Sequence, residues 1–358
     1  MNALLPVADA LERVLASVRS TPGSVAMPLV EAHGLVLAEM VVSPIAVPGD
    51  DNSAMDGYAL RASDAATALP VSQRIPAGSV GTALEPGTAA RIFTGAAVPP
   101  GADAVVMQEN CSESGGLVTV SGTVRVGQNI RPRGQDIAPD SVILERGRVL
   151  RPQDLGLLAS IGRSEVEVYR PLKVAVLSTG DELVEPGEGE AGSGQLYNSN
   201  RYTLAGLIRS MHLEFVDGGI VQDDPEATAT ALRQAAASAD CVITSGGVSV
   251  GEEDHVKNQV EKLGELSLWK LAIKPGKPLA FGSIAATPFI GLPGNPTSVF
   301  VTFCLIARPF LRKLQGVDEP APPTLTASAG FAISKPGRRQ EYLRVSLGNT
   351  NSGLRATA

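Results

Sequence analysis

The sequence predicts a multidomain protein of the α/β plus β class, and three stretches carry that prediction. From Pro171 onward, strand-like apolar runs alternate with helix-length segments, the pattern of βαβ units on a parallel sheet. Between Ala62 and Ile137 the chain falls into short apolar runs separated by Glu85-Pro86-Gly87, Pro99-Pro100-Gly101 and Ser114-Gly115-Gly116, the rhythm of a small β barrel or sandwich. The flanks of that β stretch resemble each other in style, so 1–48 and 138–169 read as one discontinuous scaffold domain interrupted by an inserted β domain, 49–137. The remainder divides into an α/β domain at 170–318 and a β segment at 319–358. At 358 residues the chain is long enough for several such units, each with its own core.

Composition narrows function by exclusion. A formal net charge of −7 argues against nucleic acid or an anionic membrane as the main partner, so an anionic ligand needs local basic groups that override the global sign. Cys111, Cys241 and Cys304 lie far apart with no CxxC or CxxH spacing, which indicates neither a zinc site nor a disulfide framework and fits a reducing cytoplasm. The N-terminus lacks a basic segment leading into an apolar core, and no run of about 18 apolar residues occurs, so the chain reads as soluble.

Taken in order, Leu11, Val14, Leu15 and Val18 form one apolar stripe at helical spacing, expected of a scaffold helix. The loop from Val47 to Leu60 then crowds Asp50, Asp51 and Asp56 with Asn52 and Ser53. Turn chemistry explains such a composition but not the interleaved Met55 and Tyr58. Within the β stretch lie Thr94-Gly95 after a strand and a basic loop, Asn129 to Asp136, where the forked guanidinium groups of Arg131 and Arg133 suit an anion. Residues 138–169 return to a strand, a helix carrying Leu155, Leu158 and Ile161, and an alternating strand, Glu165 to Val168.

Leu172 to Leu177 is a continuous apolar run, as expected of a strand buried on both faces, and it ends in Ser178-Thr179-Gly180-Asp181-Glu182. Asn200 is expected to cap a helix whose Leu204, Leu207, Ile208 and Met211 share one face. A strand from Phe215 to Val221 ends at Asp223-Asp224-Pro225, where one aspartate can cap the alanine-rich helix that Pro225 begins.

The densest chemistry lies between Asp240 and Lys257. An apolar run, Cys241 to Ile243, gives way to a loop with Ser245, Gly246, Gly247, Ser249 and Gly251, then to Glu252, Glu253 and Asp254, and then to a helix. Glycines let backbone N–H groups approach an anion, and the helix N-terminus adds partial positive charge. A carboxylate in the same loop repels a bare phosphate and suits the site only with a hard cation such as Mg²⁺ between them. A tight turn with a solvated acidic edge explains the loop taken alone. In a parallel sheet, however, ligands collect beyond the carboxyl ends of the strands, and Asp181, Glu182, Asp223 and Asp254 all fall at that edge.

Further on, Lys270 ends a strand and Lys274-Pro275-Gly276-Lys277-Pro278 forms a basic turn. Pro293 leads to Asn295 as cap, Pro296 at the first helical position and Ser298, opening a long apolar helix through Phe310 whose N-terminus can accept an anion. His255 reads as an ordinary helix-start residue. No Ser/His/Asp arrangement occurs, and KPGKP is not the GxxxxGK[ST] loop of an ATPase.

DNSAMDGYA, RIFTGAAVPPGADAVV, NIRPRGQDI, STGDEL, TSGGVSVGEEDHV, KPGKP and GLPGNPTS, in this order, resemble the molybdopterin molybdenumtransferase family, which is related to the E domain of gephyrin. The resemblance runs from about the first helix to about Arg344. It implies the molybdopterin-binding fold for the α/β domain, a dimerisation role for the scaffold, and a C-terminal β domain of which 319–358 is the start and which is expected to be incomplete. It implies insertion of molybdate into the dithiolene of adenylyl-molybdopterin with Mg²⁺-dependent release of AMP, in a cytoplasmic homodimer with a shared active site. The implied partners are adenylyl-molybdopterin and molybdate, together with the molybdopterin adenylyltransferase and apo-molybdoenzymes.

By the same resemblance the functional acids fall on Asp56, Glu182, Asp223 and Asp254, with Thr94 as a polar partner and Glu182 and Asp254 as Mg²⁺ ligands. Lys274, Lys277, Ser298 and Arg339 match positions for molybdate or the anionic groups of the ligand. Gly180, Asp181, Ser245, Gly246, Gly247, Ser249, Gly251, Arg131, Lys270, Pro293, Asn295 and Pro296 complete the expected binding surface. Two other readings stay open, a molybdopterin adenylyltransferase-like enzyme and a non-catalytic molybdopterin-binding or scaffolding dimer.

Overall fold

The computed structural model describes residues 4–248, 255–318, 324–333, 335 and 337–358. It divides into two compact units, Met1–Glu39 with Arg146–Arg151 and Val166–Ala358, and Met40–Glu145 with Pro152–Glu165.

The unit built on Met40–Glu145 is a β structure. Strands β1 (Gly57–Leu60), β2 (Leu69–Ile75), β3 (Ala89–Ile92), β4 (Ala104–Met107), β5 (Cys111–Ser114) and β6 (Leu117–Val120) form a sheet in the order β4-β1-β3-β2-β6-β5. Neighbours are antiparallel except β2 and β3. Side chains of β1 alternate between two cores: Tyr58 and Leu60 pack with Leu69 and Val118, while Ala59 packs with Ile75, Ile92 and Val105. Burial of all four residues of β1 follows from a sheet covered on both faces.

The other unit is a doubly wound α/β sheet. Strands β7 (Lys173–Thr179), β8 (Glu214–Val221), β9 (Cys241–Ser245), β10 (Gly264–Lys270), β11 (Pro278–Ile284) and β12 (Thr287–Leu292) stand in the order β8-β7-β9-β12-β11-β10. The first three pairs are parallel and the last two antiparallel. The apolar run of β7 serves two cores: Val174 and Val176 pack with Cys241 and Ile243 on one face, Ala175 and Leu177 with Val242 on the other. Helix α1 (Val7–Ala16) buries Val7, Ala10 and Val14, leaving Leu11 partly buried. Leu11 and Val18 of the expected stripe pack against the same core as Val14, and fully buried Ala10 joins them because a small side chain permits close helix approach.

Helices α2 (Ser199–Arg209), α3 (Pro225–Ser238) and α4 (His255–Leu263) connect these strands. After β12, α5 (Pro296–Thr302) passes into a π-helical turn, Phe303–Ala307, and then α6 (Arg308–Leu314). The long apolar helix expected after Asn295 is thus one path with a π turn inside it. That turn re-phases the face so that Phe303, Ile306, Phe310 and Leu311 all reach the same core. Farther along, Ser346–Thr350 and Gly353–Thr357 form an antiparallel pair that Ser328–Ala329 joins. No helix among the described residues is long and apolar enough to cross a membrane.

One ion pair ties the start of β7 to the turn before β9. Arg170 meets Asp240 in a two-pronged contact, 2.8 and 2.6 Å, and Asp240 also accepts from the Lys173 N–H at 2.7 Å. The Arg170 guanidinium holds the Asp240 carboxyl below its ordinary 3.8, against the opposing effect of burial. Because the folded value is depressed, its stabilisation is present above pH 3.8 and is lost as pH falls through the lowered value. Asp240→Asn is expected to cost about 1–2 kcal/mol at pH 7, discounted for partial exposure. Urea unfolding checks this, and the gap to the unsubstituted protein should close in strongly acidic buffer.

Candidate functional site

Between β7 and β8 on one side and β9 on the other, the strand order reverses, which opens a crevice at the carboxyl end of the sheet. A cleft of about 580 Å³ occupies that place. Thr179, Gly180 and Glu182 follow β7, Asp223 follows β8, Ser245, Gly246 and Gly247 end β9, and Pro293, Asn295 and Ser298 lie between β12 and α5.

Local sequence explains each placement. Asp224, not Asp223, caps α3 by accepting from the Ala227 N–H at 2.8 Å, with Pro225 behind it, so Asp223 remains for the cleft. Asn295 caps α5 by accepting from the Ser298 N–H at 3.2 Å. Gly246 and Gly247 both have positive φ, +92° and +65°. A Cβ at Gly247 would stand 2.5 Å from Val256 Cγ2, and one at Gly246 would stand 2.9 Å from the Thr179 carbonyl oxygen. Glycine is therefore what lets this backbone lie against the end of β7.

The expected cap at Asn200 is corrected. Asn198 caps α2, accepting from the Arg201 N–H, and its buried side chain also bonds Ser178 Oγ and Glu185 Oε1. Two Asn residues compete in Ser-Asn sequence here, and the one whose side chain reaches both β7 and the helix start prevails. Asn200 instead borders the cleft and donates from Nδ2 to the Gly294 carbonyl at 2.7 Å.

Acids dominate the electrostatics. Burial raises the Asp223 carboxyl above 3.8, Asp181 raises it further, His255 opposes, and Glu182 adds to the repulsion. The Asp223 N–H donates to Asp181 Oδ1 at 3.1 Å, so Asp181 stands beside the cleft without lining it. Glu182 folds back over Gly180: a Cβ on Gly180 would lie 2.3 Å from its Oε2. Neither Glu182 nor Asp223 has a Lys or Arg ion-pair partner among the described residues. Crowded, unneutralised carboxylates beside a glycine backbone fit a hard cation that keeps waters and substrate oxygens in its shell. Among the described residues no three His, Cys, Asp or Glu side chains form a metal cage by themselves.

Other expected site residues lie elsewhere. Lys270, Lys274, Lys277, Pro296 and Arg339 are not among the cleft-lining residues. Lys274 is paired with Glu341 Oε1 at 2.6 Å, and Arg339 donates to the Ile273 carbonyl at 3.4 Å. In the β unit, Thr94 donates to Asp56 Oδ1 from both its N–H, 2.8 Å, and its Oγ1, 2.6 Å. Those bonds hold the Asp56 carboxyl below 3.8. Arg131 is bound to Asp136 at 2.5 Å. Ser249, Gly251 and Asp254 lie outside the described residues. His255, read from sequence as an ordinary helix start, lines the cleft together with Thr179 and Asn200. Only its position directly after the acidic cluster could have flagged it.

The chain matches two family models, the MoeA N-terminal region (domain I and II) over residues 5–162 and a probable molybdopterin binding domain over residues 175–313. It is 46% identical over 321 residues to a molybdopterin molybdenumtransferase of Haemophilus influenzae, covering 88% of this chain and 79% of that protein. To molybdopterin molybdenumtransferase 2 of Mycobacterium tuberculosis it is 37% identical over 350 residues, covering 94% and 86%. Its structure is similar to that of a molybdopterin biosynthesis protein from Pyrococcus horikoshii, with a TM-score of 0.85, 30% identity, and coverage of 99% of this chain and 90% of that one. Two family models over most of the chain, and relatives this similar over this much of it, establish that the chain belongs to the MoeA, or molybdopterin molybdenumtransferase, family.

Proposed function

We propose that this protein inserts molybdate into the dithiolene of adenylyl-molybdopterin and releases AMP. The observation that carries the proposal is the cleft at the switch point, where Glu182 and Asp223, without a Lys or Arg ion-pair partner among the described residues, line the same space as the glycine turn after β9 and the N-terminus of α5. That combination suits a pyrophosphate ester, with backbone N–H groups for its oxygens and carboxylates for an accompanying cation. Glu182 and Asp254 would hold Mg²⁺, which when bound stabilises charge on the bridging and leaving oxygens of the pyrophosphate. Asp223, which lines the same cleft as Glu182, is assigned to the reaction as a further carboxylate. Ser245, Gly246 and Gly247 present the turn after β9, and Pro293, Asn295, Pro296 and Ser298 present the helix N-terminus; Ser249 and Gly251 are assigned to the same ligand from the sequence alone.

Molybdate is a small dianion, so Lys270, Lys274, Lys277 and Arg339 are assigned to it and to the other anionic groups, with Lys274 exchanging Glu341 for the substrate. Asp56, held ionised by Thr94, and Arg131 are assigned to the same reaction from the β unit of the partner in a homodimer. The thiols of Cys111, Cys241 and Cys304 are free, which supports a cytoplasmic setting. No protein nucleophile is required.

Incubation with adenylyl-molybdopterin, molybdate and Mg²⁺ is expected to release AMP without consuming ATP. Net consumption of ATP with molybdopterin would instead assign the chain to the adenylylation step, and absence of either reaction would leave a binding or scaffolding role.

A further inference from the structure

The doubly wound unit holds a second, smaller cavity of about 190 Å³, which shares no lining residue with the cleft of Glu182 and Asp223. Four stretches of chain meet there, bringing His33, Arg151, His212 and Arg312 to one space, and among the described residues no Asp or Glu lines it. The rest of the wall is largely apolar, with Val36, Leu150, Leu213 and Val317 all buried. Arg312 is half-buried and has no hydrogen-bond or ion-pair partner among the described residues. Burial lowers its pKa below the ordinary guanidinium value, and Arg308, one turn earlier in α6, lowers it further. A guanidinium drawn partly out of water beside a like charge is costly unless an anion answers it.

The imidazoles are available as donors. The rings of His33 and His212 meet edge to face with 5.5 Å between centroids, and their nitrogens bond no protein group among the described residues. By contrast Gln315 is committed to the Leu172 N–H and to the Tyr169 and Arg170 carbonyls, and Ser210 donates to the Leu207 carbonyl at 2.7 Å. The backbone is shaped to present His212. Its φ is +57°, the left-handed conformation in which glycine or asparagine usually follows a helix, and a Cβ on Gly34 would fall 2.2 Å from its ring.

We propose that this cavity binds a small organic anion, a carboxylate or phosphate head on an apolar body, with Arg312 taking the head, His33 and His212 donating to it, and the apolar wall holding the body. The cavity is smaller than the ~300 Å³ at which pockets for drug-sized ligands begin, so the body is no larger than a single ring.

The chain has three histidines, His255 in the cleft and the other two here, so their ring resonances report where a ligand sits. The test is a magnetic-resonance titration of the full chain, carrying isotope-labelled histidine, at fixed pH with phenyl phosphate, benzoate, inorganic phosphate and benzyl alcohol. His33→Asn and His212→Asn assign the signals. Phenyl phosphate or benzoate should shift both His33 and His212 with a Kd of about 1 mM or lower. The tighter of the two identifies the head group. Inorganic phosphate, which lacks the body, and benzyl alcohol, which lacks the charge, should bind at least about 10-fold more weakly.

Arg312→Met keeps an unbranched apolar stem and removes a charge with no protein partner, so it should melt no lower than the unsubstituted protein and bind the organic anion at least about 10-fold more weakly. His212→Asn, whose new residue suits the left-handed φ, should also weaken binding and serves if Arg312→Met does not fold. Anions that shift only His255, or shift neither His33 nor His212 below about 10 mM, would overturn the proposal. So would benzyl alcohol binding as tightly as the anions, or folded variants that bind them within about two-fold of the unsubstituted protein.

Discussion

Glu182→Gln is expected to lower molybdate-dependent AMP release by about 100-fold or more while the protein stays folded, because the change removes charge where it is needed and removes almost nothing else. The Glu182 carboxylate lies over Gly180 at the end of β7, lines the cleft, and has no Lys or Arg ion-pair partner among the described residues. Glutamine occupies the same volume, so no cavity opens and no partner charge is stranded. Stability should therefore change by less than about 0.5 kcal/mol. It should if anything rise, since one repulsion on Asp223 disappears. Steady-state AMP release over a Mg²⁺ titration, with a urea melt as the control, separates the two effects. Activity within about five-fold of the unsubstituted enzyme, at the same Mg²⁺ requirement, would remove Glu182 from the reaction.

The second large effect is on the backbone of the cleft. Gly247→Ala is expected to destabilise the protein by about 2–4 kcal/mol, from the left-handed φ and from overpacking together. The φ of +65° disfavours any residue with a Cβ, and the new methyl would lie 2.5 Å from Val256 Cγ2 and 3.0 Å from Thr179 Oγ1. Val256 is 3% exposed in the core beneath α4 and cannot swing into solvent. Relief must come from moving the turn, so AMP release should fall even where the variant is folded. A urea midpoint equal to that of the unsubstituted protein would show that the turn is not held this tightly.

The parts legible in the sequence were those with a local cause. The strand-and-helix alternation after Pro171 and the doubly apolar run of β7 follow from periodicity, and with them the edge where Glu182, Asp223 and Ser245 to Gly247 meet. Capping by Asn295 and by one aspartate of Asp223-Asp224 is equally local.

Long-range partners were not legible. Nothing near Lys274 reveals that Glu341, 67 positions on, takes its ammonium group. Nor does the neighbourhood of Asp56 reveal two bonds from Thr94, 38 positions away, a pairing that only the family resemblance suggested. Asn198 and Asn200 differ by a rotation about the helix axis, and tertiary contacts with Ser178 and Gly294 decide which one caps and which faces the cleft. The π turn at Phe303–Ala307 is likewise a product of packing: no glycine or proline within it announces the change of phase.

The most direct test is the ratio of AMP released to molybdenum captured when the purified protein turns over adenylyl-molybdopterin with molybdate and Mg²⁺. One AMP per molybdenum-loaded dithiolene, with AMP release abolished when molybdate is omitted, is the predicted result. AMP release that proceeds without molybdenum capture, or capture that proceeds undiminished in Glu182→Gln, would contradict it.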